Sequence, residues 1–106
     1  MGYTLTLENP CSNLVLSGWA VREFIIHTYD RINRQYKPRY RVALLRNGGV
    51  LIEEFPVRNG KTLGYRTLPK GYLYIAPLEL KNGEWKRKIG ILPKYVQKEL
   101  QKILLW

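Results

Sequence analysis

Asn47-Gly48-Gly49 stands between two apolar runs, residues 39–46 (Arg-Tyr-Arg-Val-Ala-Leu-Leu-Arg) and residues 49–57 (Gly-Val-Leu-Ile-Glu-Glu-Phe-Pro-Val). Asparagine and glycine reach the positive φ angles that a tight antiparallel connection requires, so the pair predicts a β-hairpin. The chain is therefore expected to build an antiparallel sheet around this turn. A second Asn-Gly signal, in Lys81-Asn82-Gly83, separates residues 71–80 from 84–91 and predicts a second hairpin. The polar, basic stretch 58–70 between them, with Gly60, Gly64 and Pro69, reads as a long loop suited to ordering on binding.

The flanking segments complete the plan. Residues 2–8 alternate, with Tyr3, Leu5 and Leu7 on one side and Thr4 and Thr6 on the other, as in a half-buried strand, and Asn9-Pro10 ends it. From residue 12 or 17 to residue 36, Val21, Phe24, Ile25, Thr28 and Ile32 recur at three- and four-residue spacing. That period predicts a helix, with Ser12 or Ser17 as N-cap, Trp19 and Phe24 turned to the core, and Lys37-Pro38 as the stop. Pro93 fits the first turn of a closing helix over about 93–106, whose Val96, Leu100, Ile103 and Leu104 share a face. The expected fold class is α+β: a mostly antiparallel sheet of four to five strands in two hairpins, with helices packed on one face. The other face is left to water or a ligand.

A chain of 106 residues holds one domain, 1–106, and a hydrophobic fraction of 45% gives it a real core. Cys11 is the single cysteine and His27 the single histidine, which excludes an internal disulfide and a cysteine- or two-histidine zinc site. His27 itself reads as a helix-surface or core residue. No apolar run approaches the ~18–20 residues of a membrane span, and the first residues lack a signal-peptide pattern, so a soluble cytoplasmic protein is expected. Glu53-Glu54 is the only adjacent acidic pair, and strand alternation sends its carboxylates to opposite faces, where they cannot share a metal or a proton. Gly60-Lys61-Thr62 resembles the end of a P-loop, but Phe55 stands where that spacing requires the first glycine. Neither a catalytic centre nor a metal or cofactor is expected.

Charge points to the partner. Eighteen Lys and Arg against 8 Asp and Glu give a net charge of +10, an excess that repels itself unless a polyanion neutralises it. Three stretches interleave these cations with aromatic rings. Arg39 and Arg41 flank Tyr40; Tyr72 and Tyr74 alternate with Leu73 and Ile75; Trp85 precedes Lys86, Arg87 and Lys88. Unpaired bases need flat stacking partners, and phosphates need nearby positive charge. In this reading Tyr40, Tyr72, Tyr74 and Trp85 stack bases, Arg39, Arg41, Arg66, Lys86, Arg87 and Lys88 hold phosphates, and Tyr65 beside Arg66 is a further stacking candidate. The alternative for each ring is ordinary packing, between strands for the tyrosines and in the core for Trp85. The expected function is non-catalytic, sequence-tolerant binding of single-stranded nucleic acid, DNA before RNA. The alternatives are an RNA-binding module, a small interaction protein of viral or plasmid type that binds an acidic partner and, third, a nuclease.

Arg39-Tyr40-Arg41, Gly71-Tyr72-Leu73-Tyr74, Trp85-Lys86-Arg87-Lys88 and the tail Val96 to Trp106 together resemble the ThermoDBP-type single-stranded DNA-binding proteins of archaea and their shorter relatives. The resemblance is one of element order and chemistry over most of the chain. It implies binding of single strands without catalysis or cofactor, and a homodimer formed through the C-terminal helix.

Overall fold

The computed structural model describes residues 3–55, 57–58, 61–62 and 72–105. Strand β1 (Thr4–Glu8) leads through a short helix α1 (Asn13–Leu16) to two long strands, β2 (Ala20–Asp30) and β3 (Gln35–Leu45), and then to β4 (Val50–Glu54). A two-stranded ribbon of β5 (Val57–Arg58) and β6 (Lys61–Thr62) follows, then β7 (Leu73–Ile75). Helices α2 (Pro77–Asn82), α3 (Trp85–Lys88) and α4 (Lys94–Leu104) complete the chain, with a 3-10 turn at Ile89–Ile91. The main sheet has the order β1-β2-β3-β4-β7, every neighbour antiparallel. This is the expected α+β class with an open five-stranded sheet. No helix among the described residues is long and apolar enough to cross a membrane.

The Asn47 turn forms where expected. Gly48 takes φ 93°, the Gly49 amide donates to Asn47 Oδ1 at 2.7 Å, and the Leu45 amide donates to the Gly49 carbonyl at 2.8 Å. The closing helix also forms, with Val96, Leu100 and Ile103 buried. Its apolar stripe completes the chain's own core.

Two expectations are overturned. The helix predicted up to residue 36 is strand β2, and only Ser12 keeps its capping role, accepting from the Val15 amide at 3.1 Å at the start of α1. The apparent helical period arises because β2 carries apolar residues on both faces: Phe24 and Ile26 face one side and Ile25 the other, so neighbours and alternates are both hydrophobic. β-Branched Val21, Ile25, Ile26 and Thr28 favour the extended chain. Asp30 then closes the β2–β3 turn by accepting the Ile32 and Asn33 amides, while Arg34 takes the positive φ of 53°. Pro38 therefore sits in a strand. It lies beyond the end of β4, where a missing amide costs no ladder bond.

The second predicted hairpin is a strand followed by helices. The Asn82-Gly83 signal works as a helix terminus, with Gly83 at φ 84° in the left-handed conformation that closes α2, because that conformation serves a C-cap as well as a turn. At the other end Pro77 opens α2, and the Ala76 amide donates to Glu79 Oε1 at 2.8 Å.

Register divides the sheet into two faces. Phe24, Val42, Ile52 and Leu73 face one another across four strands, as do Ile26 with Tyr40 and Val50 with Ile75. These residues join Trp85, Ile89, Leu92, Val96, Leu100 and Ile103 in a single hydrophobic core. Thr6 also reaches that side, its hydroxyl donating to Glu99 Oε1 of α4 at 2.5 Å. The opposite face holds Leu5, Leu7, Ile25, His27, Arg41, Ala43, Leu51, Glu53 and Tyr74. Leu5 and Leu7 at the β1 edge are exposed, but Ala43 and Glu23 are fully buried, so this face is not the bare platform that a ligand-binding sheet would need.

Candidate functional site

Tyr40 and Trp85 are corrections. Tyr40 is 2% exposed and Trp85 3%, both inside the core, so neither can stack a base. Tyr40 faces Ile26 and lies edge-on to Tyr95 at 6.4 Å, and its hydroxyl donates to Glu54 Oε2 at 3.3 Å. Burial, reinforced by the Glu54 charge, holds the Tyr40 hydroxyl well above the usual phenol range. Trp85 and Ile89, four residues apart, turn to the same core, which leaves Lys86 and Arg87 pointing outward.

Arg39 and Arg41 are also less available than expected. A bulge at Arg39, where β3 advances two residues for one of β2, re-aims that side chain. Its guanidinium donates to the Phe55 carbonyl at 2.6 Å and to Glu54 Oε2 at 3.1 Å. Arg41 pairs with Glu53 directly across from it on β4, with both side chains largely covered. The two adjacent carboxylates thus lie on opposite faces, each holding its own arginine.

Tyr72 is exposed at the entrance to β7, and Tyr74 is half-buried on the face away from the core, as the alternation with Leu73 and Ile75 predicted. The Tyr74 hydroxyl accepts from Asn47 Nδ2 at 3.0 Å and leaves no room for a side chain at Gly49, whose Cβ would lie 2.8 Å from it. Lys88 bonds both oxygens of Glu79, at 3.0 and 3.2 Å. The Ala76 amide and then Lys88 hold the Glu79 carboxyl below its ordinary value. Tyr65 and Arg66 lie outside the described residues.

Ion pairing sorts the whole charge set. All eight side-chain carboxylates lie at described positions, and six form ion pairs: Glu8 with Arg22, Asp30 with Lys37, Glu54 with Arg39, Glu53 with Arg41, Glu79 with Lys88 and Glu99 with Lys102. Glu23 is buried and Glu84 bonds Asn82. Every cation of β2 and β3 is therefore matched to a carboxylate. Asn33 first and Lys37 second pull the Asp30 carboxyl down to about 2. Among the described residues Arg31, Arg34, Arg46, Lys81, Lys86, Arg87, Lys94 and Lys98 have no carboxylate within ion-pair distance. They sit on two turns and on the C-terminal helices. No group of three or more acidic, histidine or cysteine side chains converges as a metal site among the described residues.

One aromatic–cation pair was missed by the sequence reading, which assigned Trp19 to the core. Trp19 is 71% exposed, in the bend between α1 and β2. Two hydrogen bonds fasten this bend to the β3–β4 turn: the Arg46 amide donates to the Trp19 carbonyl at 3.0 Å, and Arg46 Nε to the Gly18 carbonyl at 2.8 Å. A cavity of about 550 Å³ opens there, lined by Ser17, Gly18, Trp19, Leu45, Arg46 and Asn47. The available signal was Ser17-Gly18 just before Trp19 and Asn47-Gly48 just after Arg46, because turn residues place their neighbours at a sheet end, on the surface.

Comparison with protein-family models, with curated proteins and with solved structures finds no match to this chain.

Proposed function

We propose that the protein is a cytoplasmic, non-catalytic binder of single-stranded nucleic acid, with DNA the favoured strand. The observation that carries this reading is the ion-pair partition: six of the eight carboxylates are held by six cations, so among the described residues the surplus charge is concentrated in side chains that have no carboxylate partner. Five of these, Lys81, Lys86, Arg87, Lys94 and Lys98, lie on the C-terminal helices. A surface of uncompensated cations is relieved by phosphates, and the counterions released on binding supply the affinity. Exposed rings favour a strand whose bases are free. Tyr72 is 56% exposed, and Tyr36, edge-on to Tyr29 at 5.4 Å, stands beside the turn that carries Arg31 and Arg34. Bases inside a duplex offer no open face for such stacking. Because the apolar stripe of α4 is buried in the core, dimerisation through it is not part of the proposal.

The test is a titration of matched DNA and RNA oligonucleotides, single and double stranded, at rising salt. The expected result is preference for single strands, with log K falling against log salt by roughly 0.7 per phosphate neutralised. A slope near zero refutes the reading. Equal affinity for an acidic polypeptide would assign the surface to a protein partner instead.

A further inference from the structure

We propose that the cavity between Trp19 and Arg46 is a nucleotide subsite, in which one unpaired base stacks on the Trp19 indole while its phosphate lies against the Arg46 guanidinium. This rests on the single-strand reading above and adds a defined site to it. Three observations carry it. An indole that is 71% exposed leaves a large flat apolar surface in water beside a fixed cation, the pairing that a base with an attached phosphate satisfies at both ends. The pair is held in place before any ligand arrives. The Trp19 amide donates to the Leu14 carbonyl at 3.0 Å and its carbonyl accepts from Arg46, while Arg46 Nε is anchored on Gly18, so the terminal guanidinium nitrogens are presented with little rotamer freedom left to lose. Finally, the volume of about 550 Å³ lies within the range of small-ligand sites, large enough for one nucleotide.

The lining also fixes how the base is read. Asn47 is the one side-chain amide in the cavity, and both its ends are engaged, Nδ2 with the Tyr74 hydroxyl and Oδ1 with the Gly49 amide. The Ser17 hydroxyl donates to the Leu14 carbonyl at 3.1 Å. With the Asn47 amide already bonded at each end, stacking on Trp19 dominates and the subsite accepts any base.

The experiment titrates wild-type protein, Trp19→Ala, Trp19→Phe and Arg46→Gln with oligo-dT, with an abasic oligomer of the same length and with thymidine monophosphate. Tryptophan emission and salt dependence are followed throughout. Oligo-dT is expected to quench wild-type emission, and the abasic oligomer to bind without that quench. Trp19→Ala should lose most of the quench and weaken oligo-dT binding by about 5- to 150-fold, with Trp19→Phe recovering part of the affinity. Arg46→Gln should lower the salt slope by about 0.7. Both side chains are exposed and the backbone bond from Arg46 to the Trp19 carbonyl survives every substitution, so the variants should melt within a few degrees of wild type even where Arg46→Gln gives up the Gly18 bond, and a melting curve on each preparation checks this. If wild type binds oligo-dT and well-folded Trp19→Ala binds equally well, the subsite is refuted while the single-strand reading stands. Monophosphate binding as tight as the strand's would make this a free-nucleotide site and also refute it. Failure of wild type to bind any oligonucleotide overturns both readings.

Discussion

The segments Arg39-Tyr40-Arg41 on β3 and Trp85-Lys86-Arg87-Lys88 on α3 look alike as sequence, a ring among cations, yet they resolve in opposite ways. In both, the ring is buried in the core. On the strand, cross-strand register brings Glu53 and Glu54 to the two arginines, and both become clamps between β3 and β4. On the helix, a period of 3.6 turns the ring inward and Lys86 and Arg87 to solvent, while Lys88, partly buried, pairs with Glu79. An interleaved pattern therefore locates positive charge without saying whether it is free. Pairing decides that, and pairing is a property of register.

The sharpest way to break this comparison is through its aromatic members. Trp85→Ala should lower stability by about 3–5 kcal/mol, read from thermal or denaturant melts, because it empties a core position shared by sheet and helices. A variant that stays fully stable but loses oligonucleotide binding would return Trp85 to the ligand surface. Arg39→Gln should cost about 1–2 kcal/mol, since the Glu54 carboxylate and the Phe55 carbonyl each lose a charged donor at a largely covered site. Its salt slope for oligonucleotides should stay at the wild-type value. The double variant Lys86→Gln with Arg87→Gln should do the reverse, leaving stability within about 0.5 kcal/mol of wild type and reducing the slope by about 1.4.

The smallest effect concerns pH. The Asp30 carboxyl is lowered from 3.8 to about 2 in the folded chain, so ionisation favours the folded state. That contribution is complete above pH 4 and is lost as pH falls through about 2, because protonation then removes what Asn33 and Lys37 hold. Asp30→Asn should flatten this part of the acid limb in melts between about pH 5 and pH 2. A wild-type limb that the variant reproduces unchanged would show that Lys37 is not clamped as the strand cations are.

Local chemistry was legible wherever one signal had one meaning. Asn47-Gly48 between β-rich runs and the Val96, Leu100, Ile103 stripe after Pro93 were of that kind, and both elements form. Asn82-Gly83 had two meanings, and choosing between hairpin and helix terminus required knowing that Trp85 and Ile89 share a buried face. Residues 20–30 failed for a related reason: apolar side chains on both faces of a central strand erase the two-residue period. Site residues fared unevenly. Tyr72, Lys86 and Arg87 are exposed as expected, but the burial of Tyr40 and the exposure of Trp19 depend on which strand lies next to which, and that is set by contacts far apart in the chain.

The bond from Thr6 to Glu99 spans 93 residues and joins the first strand to the last helix. During synthesis the sheet strands emerge first, with Ile26, Val42, Ile52 and Ile75 forming an apolar face before Val96, Leu100 and Ile103 of α4 exist to cover it. At about 5–20 residues per second, that face waits for seconds beside the ribosome. Truncation within α4 would prolong this exposed stage indefinitely and turn a folding intermediate into an aggregation-prone product.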